Sequence, residues 1–86
     1  MSSNATCSDM FTLRGDLGAP SFLPWIARHA GRLGIIGRVT AASADEVSLL
    51  VEGPPDLVDA MELGVSLGPI DVWVESIKRE RLLSRP

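Results

Sequence analysis

The chain has 86 residues, 45% apolar and 22% charged, with a formal net charge of −3, a composition that fits one small globular domain. It excludes a disordered or fibrous chain, a membrane-spanning helix, since no apolar run approaches the roughly 20 residues needed, and a duplex nucleic-acid binder, which needs a concentrated basic face. Cys7 is the single cysteine, so an intrachain disulfide and a cysteine-rich metal site are excluded as well.

Residues 1–8 are small and polar and read as a loose N-terminal end. They show neither the basic region nor the apolar run of a secretory leader, so the cytoplasm is the expected compartment and the sequon Asn4-Ala5-Thr6 carries no meaning. The domain is expected to span residues 9–80, with 81–86 as a C-terminal end. Met10-Phe11-Thr12-Leu13 predicts a first strand over 8–14. Gly15-Asp16-Leu17-Gly18-Ala19-Pro20 then breaks regular structure. Ser21 is placed to cap a helix whose first turn contains Pro24. Phe22, Trp25, Ile26, Ala30 and Leu33 form its apolar stripe, and Gly34 ends it.

Ile35–Ala41 reads as a second strand and Val47–Glu52 as a third, with the turn at Ala44-Asp45-Glu46 making a hairpin. Gly53-Pro54-Pro55 stops it. Asp56 is placed to cap a second helix with Leu57, Val58, Met61, Val65 and Ala60 on its apolar side. Gly64 inside that helix costs about 1 kcal/mol relative to Ala. After Gly68-Pro69, Ile70, Val72, Val74 and Ser76 alternate with Asp71, Trp73, Glu75 and Ile77, the pattern of a last strand. The basic cluster Lys78-Arg79-Glu80-Arg81 reads as its solvated end. The order strand, helix, strand, strand, helix, strand predicts an α+β ferredoxin-like sandwich: a four-stranded antiparallel sheet with two helices on one face.

From Met10 to Ile77 the chain resembles the acylphosphatase family. The family's signature loop, Gly-Arg-Val-Gln-Gly-Val-x-Phe-Arg, aligns without a gap on Gly15-Asp16-Leu17-Gly18-Ala19-Pro20-Ser21-Phe22-Leu23. Its Ala-x-x-Leu-Gly-Leu-x-Gly-x-Val aligns on Ala30-Gly31-Arg32-Leu33-Gly34-Ile35-Ile36-Gly37-Arg38-Val39. The hairpin Asp45-Glu46-Val47 to Glu52-Gly53, the Gly68-Pro69 pair and the spacing of Val72, Val74 and Ile77 follow the family too. The resemblance implies a metal-free, cofactor-free hydrolase of carboxyl-phosphate bonds. In such enzymes a loop of backbone N–H groups and an arginine grip the phosphoryl oxygens, and an asparagine on the second strand orients water.

In register, the arginine position is Leu23 and the asparagine position is Ala41, and neither side chain can donate a hydrogen bond. Loss of one preorganised donor costs about 10²–10³ in rate, and losses of groups that act together need not add. Asp16 puts a negative charge beside the expected phosphate, and Pro20 removes one backbone N–H from the cradle. The resemblance therefore implies an acylphosphatase-like domain with a degenerate active site, acting as a binding or regulatory module. The alternative is a weak or altered acylphosphatase in which Arg14, Arg28 or Arg38 compensates.

His29, with no nucleophile or carboxylate placed beside it by the sequence, reads as a surface or half-buried residue rather than a base. Trp25 falls at a core position and Cys7 has no cationic neighbour to activate it. Trp73 stands out of phase with Val72 and Val74, and is the candidate contact for a protein partner or second copy if neighbouring side chains do not cover it. A protein or small anionic ligand is the expected partner, with no nucleic acid or membrane. The expected state is a monomer or weak dimer, and the Ala, Gly, Leu and Arg content points to a bacterial source.

Overall fold

Strict alternation builds the centre of the sheet. In the computed structural model, which describes residues 5–85, the first strand β1 (Thr6–Asp16) buries Cys7, Asp9, Phe11 and Leu13 on one face. The strand β3 (Glu46–Gly53) does the same with Val47, Leu49 and Val51. The two pair antiparallel, Phe11 opposite Leu49 and Leu13 opposite Val47, so the period of two brings these buried side chains onto a common face. The helix α1 (Phe22–Leu33) lays Phe22, Ile26 and Ala30 on that face, and the helix α2 (Pro55–Leu67) adds Val58, Met61 and Val65. All of these except Asp9 belong to one core cluster, and full burial of each large apolar side chain contributes about 1.5–3 kcal/mol.

The strand β2 (Ile36–Ala42) pairs with β3, and the strand β4 (Trp73–Arg85) pairs with β1, both antiparallel. The sheet order is β2-β3-β1-β4. With both helices on one face, this is the expected ferredoxin-like sandwich. No helix among the described residues is long and apolar enough to cross a membrane.

Several local expectations are corrected. β1 starts at Thr6, inside the stretch read as a loose end, and Cys7 lies buried in the core; residues 1–4 lie outside the described residues. β4 runs to Arg85, beyond the expected domain end. Ile70 and Asp71 precede β4 instead of opening it, and Ile70 is fully exposed (104%). Ser21 gives no side-chain cap to α1; its hydroxyl donates to the Asp71 carboxylate at 2.9 Å instead. α2 is capped by Pro54 with Pro55 at its first position, and Asp56 sits in the first turn. The expected end of α1 holds: Gly34 is left-handed (φ 72°) and its N–H bonds back to Ala30 and Gly31.

Three bulges shift the register. Arg14 faces Ser76 but Gly15 faces Val74, which leaves Glu75 as the extra residue. The inward face therefore passes from Val72 and Val74 to Ile77 and Arg79 rather than to Ser76. A second bulge in β4 falls at Leu82, and β2 has one at Thr40.

Candidate functional site

The stretch between β1 and α1 folds against the turn that joins β2 to β3. The Leu17 N–H donates to Ala44 O at 2.8 Å and the Gly15 N–H to Asp45 O at 3.2 Å, while the Phe22 N–H donates to Ala19 O at 3.1 Å. Pro20 has no N–H to offer. Three N–H groups of this stretch, those of Gly15, Leu17 and Phe22, are thus spent on the fold's own carbonyls.

Loop and turn enclose a depression of about 280 Å³ lined by Leu17, Ala19, Pro20, Leu23, Ala42 and Val47, with Ser43 its one polar side chain. Ser43 is itself engaged, donating to Asp45 Oδ1 at 2.8 Å and accepting from the Glu46 N–H at 3.2 Å. No lysine or arginine lines the space. Acidic groups stand nearby instead: Asp16, exposed at the end of β1, and Asp71, held by Ser21 at the start of α1. A depression with this apolar lining favours an apolar group over a charged one.

Leu23 lines the depression and is 41% exposed. Ala41 is opposite Ser48, on the half-buried side of β3, whereas Ala42 is opposite buried Val47 and lines the depression. The bulge at Thr40 makes this difference, and sequence register alone carries no sign of it. Gly15 remains glycine for a packing reason. A Cβ there would lie 2.0 Å from Trp73 O and 2.8 Å from Glu75 N, where β4 bulges against the end of β1.

The three arginines weighed as substitutes are not brought to the loop. Arg14 is ion-paired with Glu46 at 2.8 Å, in the sheet position after buried Leu13 and so on the opposite face. Arg38 is exposed on β2, out of phase with half-buried Gly37 and Val39. Arg28 is exposed on α1, and none of the three lines the depression. Trp73 is 67% exposed at the start of β4, opposite Asp16. Trp25 packs on the core edge and stacks on His29, ring centroids 5.0 Å apart. His29 is half-buried with Nε2 buried and without a hydrogen-bond partner among the described residues, because it lies over Gly64, where a Cβ would stand 2.0 Å from Nε2.

Charged side chains are concentrated at a different place in the fold. Asp9, 1% exposed on the core face of β1, accepts from Arg79 Nε at 2.5 Å and from Arg81 Nε. Arg79 also reaches Glu62 at 2.7 Å and Asp59 at 2.8 Å on α2, and its guanidinium lies 5.4 Å from the Phe11 ring centroid. Burial alone would lower the Arg79 pKa, but the hydrogen bonds it donates to Asp9, Glu62 and Asp59 outweigh it and the pKa is raised. The cluster read as a solvated strand end is therefore half inside the structure. The signal was present: Asp9, Phe11 and Leu13 share a parity, as do Ile77, Arg79 and Arg81. No group of three or more His, Cys, Asp or Glu among the described residues is placed to hold a metal ion.

No protein-family model and no curated protein matches the sequence, but solved structures do match its fold. An acylphosphatase from Coxiella burnetii superposes with a TM-score of 0.83 at 20% identity, covering 94% of this chain and 85% of that one. An acylphosphatase from Bacillus subtilis gives 0.79 at 19% identity, covering 87% and 83%. Full-length HypF, in a phosphate- and nucleotide-bound form, gives 0.78 at 17% identity over 90% of this chain and 10% of its own. At these identities the likeness establishes the fold and leaves the chemistry to the residues themselves.

Proposed function

We propose that this acylphosphatase-like fold has lost acyl phosphate hydrolysis and serves as a binding module whose loop depression receives an apolar group. One observation carries the reading: the space beside the loop is lined by apolar side chains, with Leu23 at the position where the family places its phosphate-gripping arginine. Phosphoryl transfer in such a site depends on positioned donors and positive charge. Here the ionisable side chains beside the loop include Asp16, Asp45 and Asp71, and Gly15 and Leu17 direct their N–H groups at the hairpin turn. Ala42 rather than Ala41 faces the depression, so the second donor position is apolar in either register.

The other reading, a weak or altered acylphosphatase, is favoured by the fold likeness to two acylphosphatases. Melting in inorganic phosphate or sulfate separates the two. A ligand held only by the native state at 100 times its Kd adds about 2.7 kcal/mol, which is about 10 °C or more in Tm for a domain this small. The binding-module reading predicts no shift with either anion and a rise in Tm with a small apolar probe such as a short-chain alcohol or benzene derivative. A saturable phosphate shift that Leu23→Arg does not alter would support the hydrolase.

A further inference from the structure

The free edge of β4 carries a charge pattern that the loop depression does not use. β4 is an outer strand, paired on one side with β1. Between its bulges at Glu75 and Leu82, residues 76–81 run in unbroken register with residues 14–9. The other side of such a strand presents unpaired N–H and C=O groups, a template for one more strand. Lys78 and Glu80 stand exposed on the sheet face away from the helices. Their neighbours across β1 are the uncharged Thr12 and Met10, and neither makes an ion pair among the described residues.

We propose that two copies of this chain associate by antiparallel pairing of their β4 edges about a twofold axis through Arg79. An axis perpendicular to the sheet keeps all helices on one side, so the sheet becomes continuous across both copies and residues that meet share a face. Centred on Arg79, Lys78 of each copy meets Glu80 of the other, giving two opposite-charge pairs on the open face. The neighbouring registers are worse. An axis at Lys78 sets two lysines together, and an axis at Glu80 sets two glutamates together and Arg79 against Arg81 twice. An axis at Ile77 leaves Lys78 opposite the uncharged Ser76 and carries Glu80 beyond the regular stretch to the bulge at Glu75.

On the helix side the two Arg79 side chains approach, but each is already held by Asp9, Asp59 and Glu62 of its own chain. A lysine and flanking bulges ordinarily block an edge; Glu80, two residues away, supplies the counter-charge that turns the same edge into a self-complementary one. The interface is short, so the dimer is weak and salt-sensitive.

Sedimentation equilibrium over about a hundredfold range of concentration tests this on the full chain. Lys78→Glu and Glu80→Lys each replace two attractive pairs by two repulsive ones, which should weaken the dimer roughly tenfold. The double variant Lys78→Glu, Glu80→Lys should recover the wild-type Kd. An equimolar mixture of the two single variants should form a heterodimer, since each then meets its opposite charge. Both side chains are exposed, and an unchanged Tm verifies that each variant is folded. A wild type that stays monomeric throughout, or a dimer with the same Kd in all the variants, would overturn the proposal. Neither result bears on the loop depression, which is tested separately.

Discussion

At the loop end of the molecule, between β1, α1 and the β2–β3 turn, an open depression is surrounded by apolar side chains and backbone groups bonded to one another. On the α2 side, Asp9, Arg79, Arg81, Asp59 and Glu62 meet within hydrogen-bond distance over the same core. A phosphate-binding fold concentrates fixed positive charge at the loop and spends it on a ligand. Here the inward-turned arginines lie on the last strand and are spent on carboxylates of the chain itself. Buried guanidiniums here serve the fold itself, so arginine content says nothing about anion binding until the partners of each arginine are known.

Breaking the charged region should have the largest effect. Arg79→Met leaves the buried Asp9 carboxylate with a single cation and removes both ties to α2. Breaking a buried pair from one side costs about 3–5 kcal/mol, so Tm should fall by more than about 12 °C. Replacing both partners, Asp9→Leu with Arg79→Met, should recover much of that loss. If Arg79→Met melts with the wild type, the network is not formed in solution.

Gly15→Ala sharpens the contrast by testing the loop end through its backbone. Its Cβ has no room beside Trp73 O, and overpacking of this kind costs about 1–3 kcal/mol. Urea unfolding should show the loss, whereas a glycine kept for a ligand alone would tolerate alanine. Gly64→Ala probes the seam between the helices. In the wild type it forces His29 from its stack on Trp25 and should destabilise; in a His29→Ala background it should stabilise by about 1 kcal/mol, the helix-propensity gain. Equal effects in both backgrounds would show that the ring moves aside freely. Leu23→Ala should be the mildest change, below about 1 kcal/mol, because the side chain is 41% exposed.

The sequence made the fold legible because its signals are local: alternation in β1 and β3, two helical stripes, Gly34 at a left-handed cap. What it concealed is non-local. The bulge at Glu75 is fixed by the pairing of Gly15 with Val74 and exchanges Ser76 for Ile77 on the inner face. Asp9 is carried inward by the alternation of β1, but the cations that compensate its burial, Arg79 and Arg81, lie some seventy residues later across the ladder. Thr6–Ser8 look loose by composition, yet they pair with both Gly53 and the far end of β4. At the loop, Leu23 lines the depression, and it is Ala42 rather than Ala41 that joins it there because of the bulge at Thr40, which the sequence does not announce.

Phosphate release from a small acyl phosphate shows whether the loop end handles phosphoryl groups. The purified wild type is compared with Leu23→Arg, Ala41→Asn and Leu23→Arg, Ala42→Asn. The account predicts a wild type indistinguishable from buffer, with any gain confined to the variants that return a guanidinium to the loop. Wild-type turnover well above the buffer rate would contradict it, and Arg14, Arg28 and Arg38 would then be the side chains to remove in turn.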